Sequence, residues 1–351
     1  MLAGVVGLAV AWGVKGRRVV DPVMGTPRLA LEAVSGSSIY GNAGALPWLR
    51  TLRPELLSDA TRDPQGEMAR NFARAVQLPK FFRQLDRQLR FDTLLLVGNP
   101  SEYRPLLEHL VEVKDFAPVY VDHWAIIFKR GATSPWEPAH LDALRARLAV
   151  LTPRDQATAL AETAVRLGSL RRVEEARGLL DEAQGLDGQS PAMWNGRAVL
   201  HSQRGEWKEA LGCADRALAG KKEPLAALAT KAQALYAIKQ FSAAYDLSSE
   251  LIERVPEDPG ILFYHAKIAH EAHAYKAEIA ALEKLIAQAS AARWPTSGYS
   301  IYLGQAYAAV SEAERSVAAF AKALEDDDLP KEQRDFALEN IRRIKSRVGI
   351  E

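Results

Sequence analysis

The sequence holds one cysteine, Cys213, in 351 residues. An internal disulfide is therefore impossible, and so is a metal site built on several thiolates. Neither charge is in excess: 45 Lys and Arg face 44 Asp and Glu, a formal net charge of +1. Without a basic surplus, nucleic acid is not an expected partner. No dinucleotide-binding glycine fingerprint, Walker loop, nucleophile elbow or zinc-ligand spacing occurs. No catalytic residue, metal or cofactor is therefore assigned. What is present is ordinary for a folded protein, 48% hydrophobic and 25% charged residues. The length suggests two domains.

The start is unusual. Met1 to Val14 carries no charge and is mostly apolar, and Lys15, Arg17 and Arg18 follow it. A spanning helix needs roughly 20 apolar residues, so this run is short. A secretory signal would put the basic residues first. Three readings stand: the end of a transmembrane helix, a short anchor or unusual signal, or an apolar element of a soluble protein. Segment 1–18 is taken as the possible end of a transmembrane helix, which makes the membrane an expected partner.

The second half repeats. Ala176, Ala210 and Ala244 recur at a constant interval of about 34 residues, a length typical of stacked helical hairpins. Each lies inside the same pattern of small and large apolar residues. The pattern divides into five copies. Copy one (157–190) carries Ala164, Leu167, Val173 and Leu180. Copy two (191–224) has Trp194, Ala198, Gly205, Trp207 and Ala217. Copy three (225–258) has Leu228, Ala232, Leu235, Phe241 and Pro256. Copy four begins near Pro259 with Leu262, Ala266, Tyr275 and Leu282, and copy five near Ser297 with Gly304, Tyr307, Phe320 and Ala323. Small residues belong where two helices cross closely, and large ones fill the groove against the next hairpin. A single hairpin cannot bury its own apolar face, so neighbours must stack. In period and residue type the array resembles the tetratricopeptide repeat. Two departures stand out. Glu278 takes the place of the small marker in copy four. The step from Pro259 to Ser297 exceeds the period by four, through Ala292-Arg293-Trp294-Pro295. Looser packing or a longer loop is expected there. Asp326, Asp327 and Asp328 form an acidic turn, and 329–351 reads as a capping helix with Phe336, Ile341 and Ile344 facing inward.

The upstream half reads as a small α/β domain over 20–131. Helices are expected at 27–34, at 78–89, and from Ser101 as cap to about Val111. Extended segments are expected at 38–40, 93–97, 119–122 and 125–129. The run Thr93-Leu-Leu-Leu-Val97 has the unbroken apolarity of a strand covered on both faces. Residues 132–156 are read as a linker and connecting helix, 157–328 as the five repeats. The fold class is therefore α+β overall, a small α/β domain followed by an all-α tetratricopeptide helical solenoid.

One phrase in this domain is distinctive: Val119, Tyr120, Asp122, Ala125, Ile126, Ile127, Phe128 and Arg130. It resembles the close of the extracytoplasmic domain of the C-type membrane glycosyltransferases that use polyprenol-phosphate sugars, proteins that often end in tetratricopeptide repeats. Ile39 to Leu46 resembles a second segment of that family, and Ser58 to Arg62 echoes a third. His123 and Trp124 depart from its pattern. The resemblance implies a multi-span enzyme of which this chain is the last piece, with this part outside the cytoplasm. The family's catalytic acidic residues lie between early membrane helices and have no counterpart here. Against the external placement, Lys15, Arg17 and Arg18 favour a cytoplasmic side.

Other candidates have bland readings. Gly98-Asn99-Pro100-Ser101 joins a strand to a helix, where amides can hold an anion, though a plain turn is the simpler account. His265, His270 and His273 fall on one hairpin, with His270 and His273 at i, i+3 spacing. Asp59, Asp63 and Glu67 read as a solvated loop. Trp194, Trp207 and Trp294 read as packing residues. For binding, tetratricopeptide proteins use the face made by the first helix of each hairpin. That face is expected to include Asn195, Val199, Gln233, Tyr236, Lys267, His270 and Gln305, and to hold a protein or peptide. The function expected is a protein–protein interaction scaffold, membrane-associated and extracytoplasmic. The alternative is a free-standing soluble cytoplasmic adaptor.

Overall fold

The computed structural model describes Val34 and residues 38–42, 45, 49, 71, 74–76, 78–113, 115–132, 137, 139–220, 224–291, 295–326 and 329–349. The expectations for 1–18, for 58–67, for Trp294 and for Asp327 and Asp328 lie outside them. Val34, the last residue of the helix expected at 27–34, is not helical. Two compact units are present, one ending at Thr230 and one running from Lys231 onward.

The first unit opens on a sheet of β1 (Ile39–Gly41), β2 (Thr93–Val97), β3 (Phe116–Val121) and β4 (Ala125–Arg130), in the order β1-β2-β4-β3. β1 runs parallel to β2, and the other two pairings are antiparallel. The unbroken apolar β2 is buried at every position, because both faces of the sheet are covered. Leu94 and Leu96 pack with α1 (Pro79–Leu89) and α2 (Arg104–Glu112), and Leu95 and Val97 with Val34, Ala45 and Leu49. Asn42 extends the β1–β2 edge with its side chain. Its Oδ1 accepts from Val97 N at 3.0 Å and its Nδ2 donates to Val97 O at 2.7 Å.

Two sequence expectations need correction. The expected helix does not start at Ser101: Pro100–Tyr103 is a 3₁₀ turn, and α2 begins at Arg104 with no side-chain cap. The proline fixes a tight turn before the α geometry begins. The first hairpin starts at Pro153, not at 157, because Thr152 accepts from Asp155 N and the proline occupies the first helical turn. The same start recurs as Ser190-Pro191 and Asp258-Pro259. The connecting segment, read as a linker and a connecting helix, also contributes to the core. Its helix α3 (Ala139–Leu148) buries Leu141, Leu144 and Leu148 in the core that also holds Leu106 and Leu110 of α2.

That core continues into the repeats. Helices α4 (Pro153–Ser169), α5 (Val173–Leu186) and α6 (Pro191–Gln203) add Leu160, Leu167, Leu179 and Leu200 to it. Helices α7 (Trp207–Leu218) and α8 (Leu225–Ala237) follow. Ala176 and Ala210 are fully buried, as their crossing positions require. Glycine serves the same need at Gly196, where a Cβ would meet Leu180 Cδ2 at 2.8 Å.

The second unit contains α9 (Phe241–Arg254), α10 (Pro259–Glu271), α11 (Tyr275–Ala291), α12 (Ser297–Ala309), α13 (Ala313–Leu324) and α14 (Lys331–Val348). The repeat period is written into the backbone of both units. The turn between the paired helices carries one left-handed residue each time: Arg171, Gly205, Lys239, His273 and Ser311. The step between them equals the sequence period three times and is longer by four at the last. The added length coincides with a longer second helix, since α11 has 17 residues against 14 in α9. The crossing in copy four is filled by Glu278 itself, which is 1% exposed. In α14 Phe336 is 39% exposed, contrary to expectation, while Ala337, Asn340 and Ile344 are buried. Ile341 packs against the same cluster, so Ile341 and Ile344 face inward as expected and Phe336 does not.

Only glycine adopts a left-handed backbone without strain, and other residues bear roughly 1 kcal/mol there. A Cβ at Gly205 would meet nothing nearer than 4.0 Å, so Gly205→Ala tests conformation alone. Urea titration is expected to show it less stable by about 1 kcal/mol, and Lys239→Gly more stable by about 0.5 kcal/mol.

Candidate functional site

Two features invite a functional reading: the junction of the sheet with the first hairpin, and the first-helix face of the repeats.

At the junction, the β3–β4 turn is built around Asp122, 1% exposed. It accepts from Tyr120 OH at 2.6 Å, Trp124 N at 2.7 Å and Ala125 N at 2.8 Å. Arg166, on α4, reaches the same turn. Its Nη2 donates to Gly98 O at 2.7 Å and lies 3.5 Å from Trp124 O. Burial pushes the Tyr103 hydroxyl up to about 12, against the opposing charge of Arg166, and that hydroxyl donates to Gly98 O at 3.4 Å. Gly98 O is therefore taken by its own protein, and Gly98 N donates to Trp124 O at 3.3 Å. At the far end of β4, Arg130 pairs with Asp86, donates to Phe91 O at 2.8 Å and lies 4.3 Å over the Phe116 ring. Tyr120, Asp122 and Arg130 thus hold a hairpin and its neighbours. The phrase behind the glycosyltransferase resemblance carries fold, and these contacts contain no reactive arrangement.

All seven residues expected on the first-helix face lie on first helices and are half-buried. In the first unit, Asn195 and Val199 project from α6, and Asn195 Oδ1 accepts from Thr230 Oγ1 at 3.1 Å. In the second, Gln233 and Tyr236 stand on α8, Lys267 and His270 on α10, and Gln305 on α12. Val199, Gln233, Lys267 and Gln305 occupy one position of the repeat frame, so each takes the same side of its own helix.

Residues the sequence reading passed over make this face aromatic. Tyr236 meets Tyr264 with ring centres 6.0 Å apart, and Phe263 meets Tyr299 at 5.4 Å and Tyr302 at 5.5 Å. Tyr302 is 39% exposed. Burial, then the nearby Glu271 and Tyr302, push the Tyr236 hydroxyl up. Three successive first helices, the middle one bearing Lys267, therefore contribute five aromatic rings. The signal was available: Tyr264 and Tyr302 hold the same repeat position, one full step apart.

The three histidines do not form a metal site. His265 is buried and its Nδ1 lies 2.9 Å from Ser248 Oγ; burial lowers its pKa to about 4. His270 faces Glu278, with Nδ1 3.1 Å from Oε2. His273 is not on the helix at all. It is the left-handed turn residue, bonded to Tyr275 OH at 2.8 Å. Among the described residues no group of His, Cys, Asp and Glu is arranged to hold a metal. Of the tryptophans, Trp194 and Trp207 are half-buried. Trp194 donates to Gly188 O at 3.0 Å beneath the Arg216 guanidinium.

Glu278 stands where the repeat wants a small residue, and its carboxylate is almost free of solvent. Burial pushes its pKa up, and His270 only partly offsets this. A carboxyl whose folded pKa is raised weakens folding once pH climbs above the unfolded value, with the full loss reached above the folded one. Glu278→Gln removes the charge and keeps the shape. Thermal melts are expected to show the variant more stable at pH 8, by roughly 1 kcal/mol. The gain is expected to shrink as pH falls through the carboxylate range, where the wild type is protonated too.

Comparison with known proteins places the repeats and leaves the upstream domain aside. Residues 203–285 match the family described as anaphase-promoting complex, cyclosome, subunit 3. Among solved structures, YrrB, described as a TPR protein with an unusual peptide-binding site, is 17% identical; the match covers 52% of this chain and 90% of that one, with a TM-score of 0.45. The MamA fragment from Desulfovibrio magneticus RS-1 is 19% identical, covering 47% and 94%, with a TM-score of 0.41. MamA of AMB-1 is 13% identical, covering 49% and 92%, with a TM-score of 0.43. No curated protein matches the chain. The glycosyltransferase resemblance and the membrane setting have no counterpart among these matches. The chain is similar to tetratricopeptide-repeat proteins through its helical hairpins, within an α+β fold.

Proposed function

We propose that this protein is an interaction scaffold that holds an extended peptide against the first helices of its repeats. The observation that carries the reading is the aromatic ledge of the second unit, where Tyr236, Phe263 and Tyr302 come from three successive first helices. Rigid aromatic side chains give large contact area at small entropic cost, and a hydroxyl on each tyrosine adds a hydrogen bond. Lys267, which takes part in no ion pair among the described residues, adds a cation to the same face. Gln233, His270 and Gln305 complete the proposed contact set of the second unit, with His270 already engaged by Glu278; Asn195 and Val199 are proposed as contacts on the first-helix face of the first unit.

The setting we propose is the C-terminal, extracytoplasmic part of a membrane protein of the glycosyltransferase kind, attached through the apolar stretch at 1–18. The support is the sequence phrase ending at Arg130 and the uncharged run Met1 to Val14. In this reading the chain contributes binding and leaves the chemistry to other segments.

Two measurements test these points. A pulldown with Tyr236→Ala, Lys267→Ala is expected to recover at least tenfold less partner than the wild type, with an unchanged melting temperature. Equal recovery removes the ledge as the binding face. Fractionation of cells expressing the full chain is expected to place it with membranes. A chain found wholly in the cytoplasmic fraction favours the free-standing adaptor.

A further inference from the structure

The outward face of α1 and its flanks carries Lys80, Arg83, Arg87 and Arg90, all exposed, while Phe82 and Leu85 turn into the core. The spacing of three, four and three residues puts the four cations on one side of the helix. The helix has a single acid, Asp86, and it is half-buried and paired with Arg130. At the C-terminal end of the helix, Arg87, Arg90, Arg130 and Asp86 line an open pocket of about 430 Å³. At the other end the half-buried Phe81 packs against the core, with Arg74 5.5 Å and Lys80 5.4 Å from its ring centre. A chain with a net charge of +1 has therefore gathered cations on one short helix.

We propose that this face of α1 docks on an anionic phospholipid surface, with headgroup phosphates in the arginine-lined pocket. Charge complementarity selects the class of partner. Guanidinium groups bind phosphate oxygens in pairs, and a cluster of Lys and Arg on one helix face is attracted to the negative surface of an anionic bilayer. Lipid is favoured over nucleic acid because the cations form one short patch on a chain whose net charge is only +1, without the extended basic surface that tracks a nucleic-acid backbone. The contact does not depend on the anchor at 1–18 or on the peptide ledge. An apolar anchor binds neutral and anionic bilayers alike, whereas this face distinguishes them.

The test is co-sedimentation of the full chain with vesicles of phosphatidylcholine alone, or of phosphatidylcholine and phosphatidylglycerol in equal parts. Preference for the anionic vesicles is expected, weakening as salt rises. Arg83→Gln, Arg87→Gln, Arg90→Gln, with an unchanged circular dichroism spectrum and melt, is expected to lose at least tenfold in affinity for the anionic vesicles only. Equal binding to both vesicle types, or an unaltered triple variant, overturns the proposal. Tighter binding to a short DNA duplex than to the anionic vesicles overturns it in favour of nucleic acid. Displacement from vesicles by millimolar inorganic phosphate would overturn it by making the pocket a site for a small anion instead. The variants lie outside the repeats, so failure here leaves the peptide ledge standing.

Discussion

The close crossing of paired helices governs the whole repeat region. Ala176, Ala210 and Ala244 are fully buried because the neighbouring helix leaves no room for more than a methyl group. Gly196 and Gly304 sit where even a methyl would collide, at 2.8 Å and 2.9 Å, with Leu180 and Phe320. Once the helices cross so closely, the turn between them is forced into one shape, and a left-handed residue appears at every turn. Four of the five are not glycine, so the geometry is imposed by packing and not by local preference. The larger residues then have one place to go, the groove against the next hairpin, and stacking follows.

The upstream domain obeys the same logic. Its central strand has no free face, and the core it builds runs on through α3 into the first hairpins. Arg166 closes the junction by donating to carbonyls at the ends of two connections of the sheet. A buried guanidinium is costly unless its donors are satisfied, so this contact fixes where the hairpin meets the sheet. The small domain and the first repeats are consequently one structural body. A short α/β domain of this size gains much of its burial from the repeats that follow it.

Function is found at positions that packing leaves over. On the first helices, the residues not needed at crossings face outward, and in the second unit they are aromatic with a lysine among them. Glu278 shows the reverse case: a carboxyl set into a crossing and faced by His270, with burial disfavouring its charged form. Here the sequence departs from its rule of small residues at crossings, and the structure accommodates the departure.

The fold was largely legible in the sequence, because hydrophobic period and turn residues are local signals that act within a few helical turns. The constant repeat step, its lengthening after copy four begins, the buried strand at 93–97 and the helix at 79–89 all declared themselves this way. The seven expected face residues were placed on first helices for the same reason. Other features arise from residues distant in the chain, which no local pattern encodes. The parallel pairing of β1 with β2 joins Ile39 to Thr93, with a long stretch of chain between them. Arg166 reads as a surface residue of an amphipathic helix until the sheet is set against it. His270 and His273 look like neighbours on one face until the turn separates them. Phe263, Tyr264, Tyr299 and Tyr302 look like core by composition, and only the packing of successive hairpins turns part of them toward solvent. The sequence by itself determined which residues must be buried and at what interval, since burial is a property of side chains. The tertiary structure decided which surfaces were left exposed together, since that depends on what each helix meets.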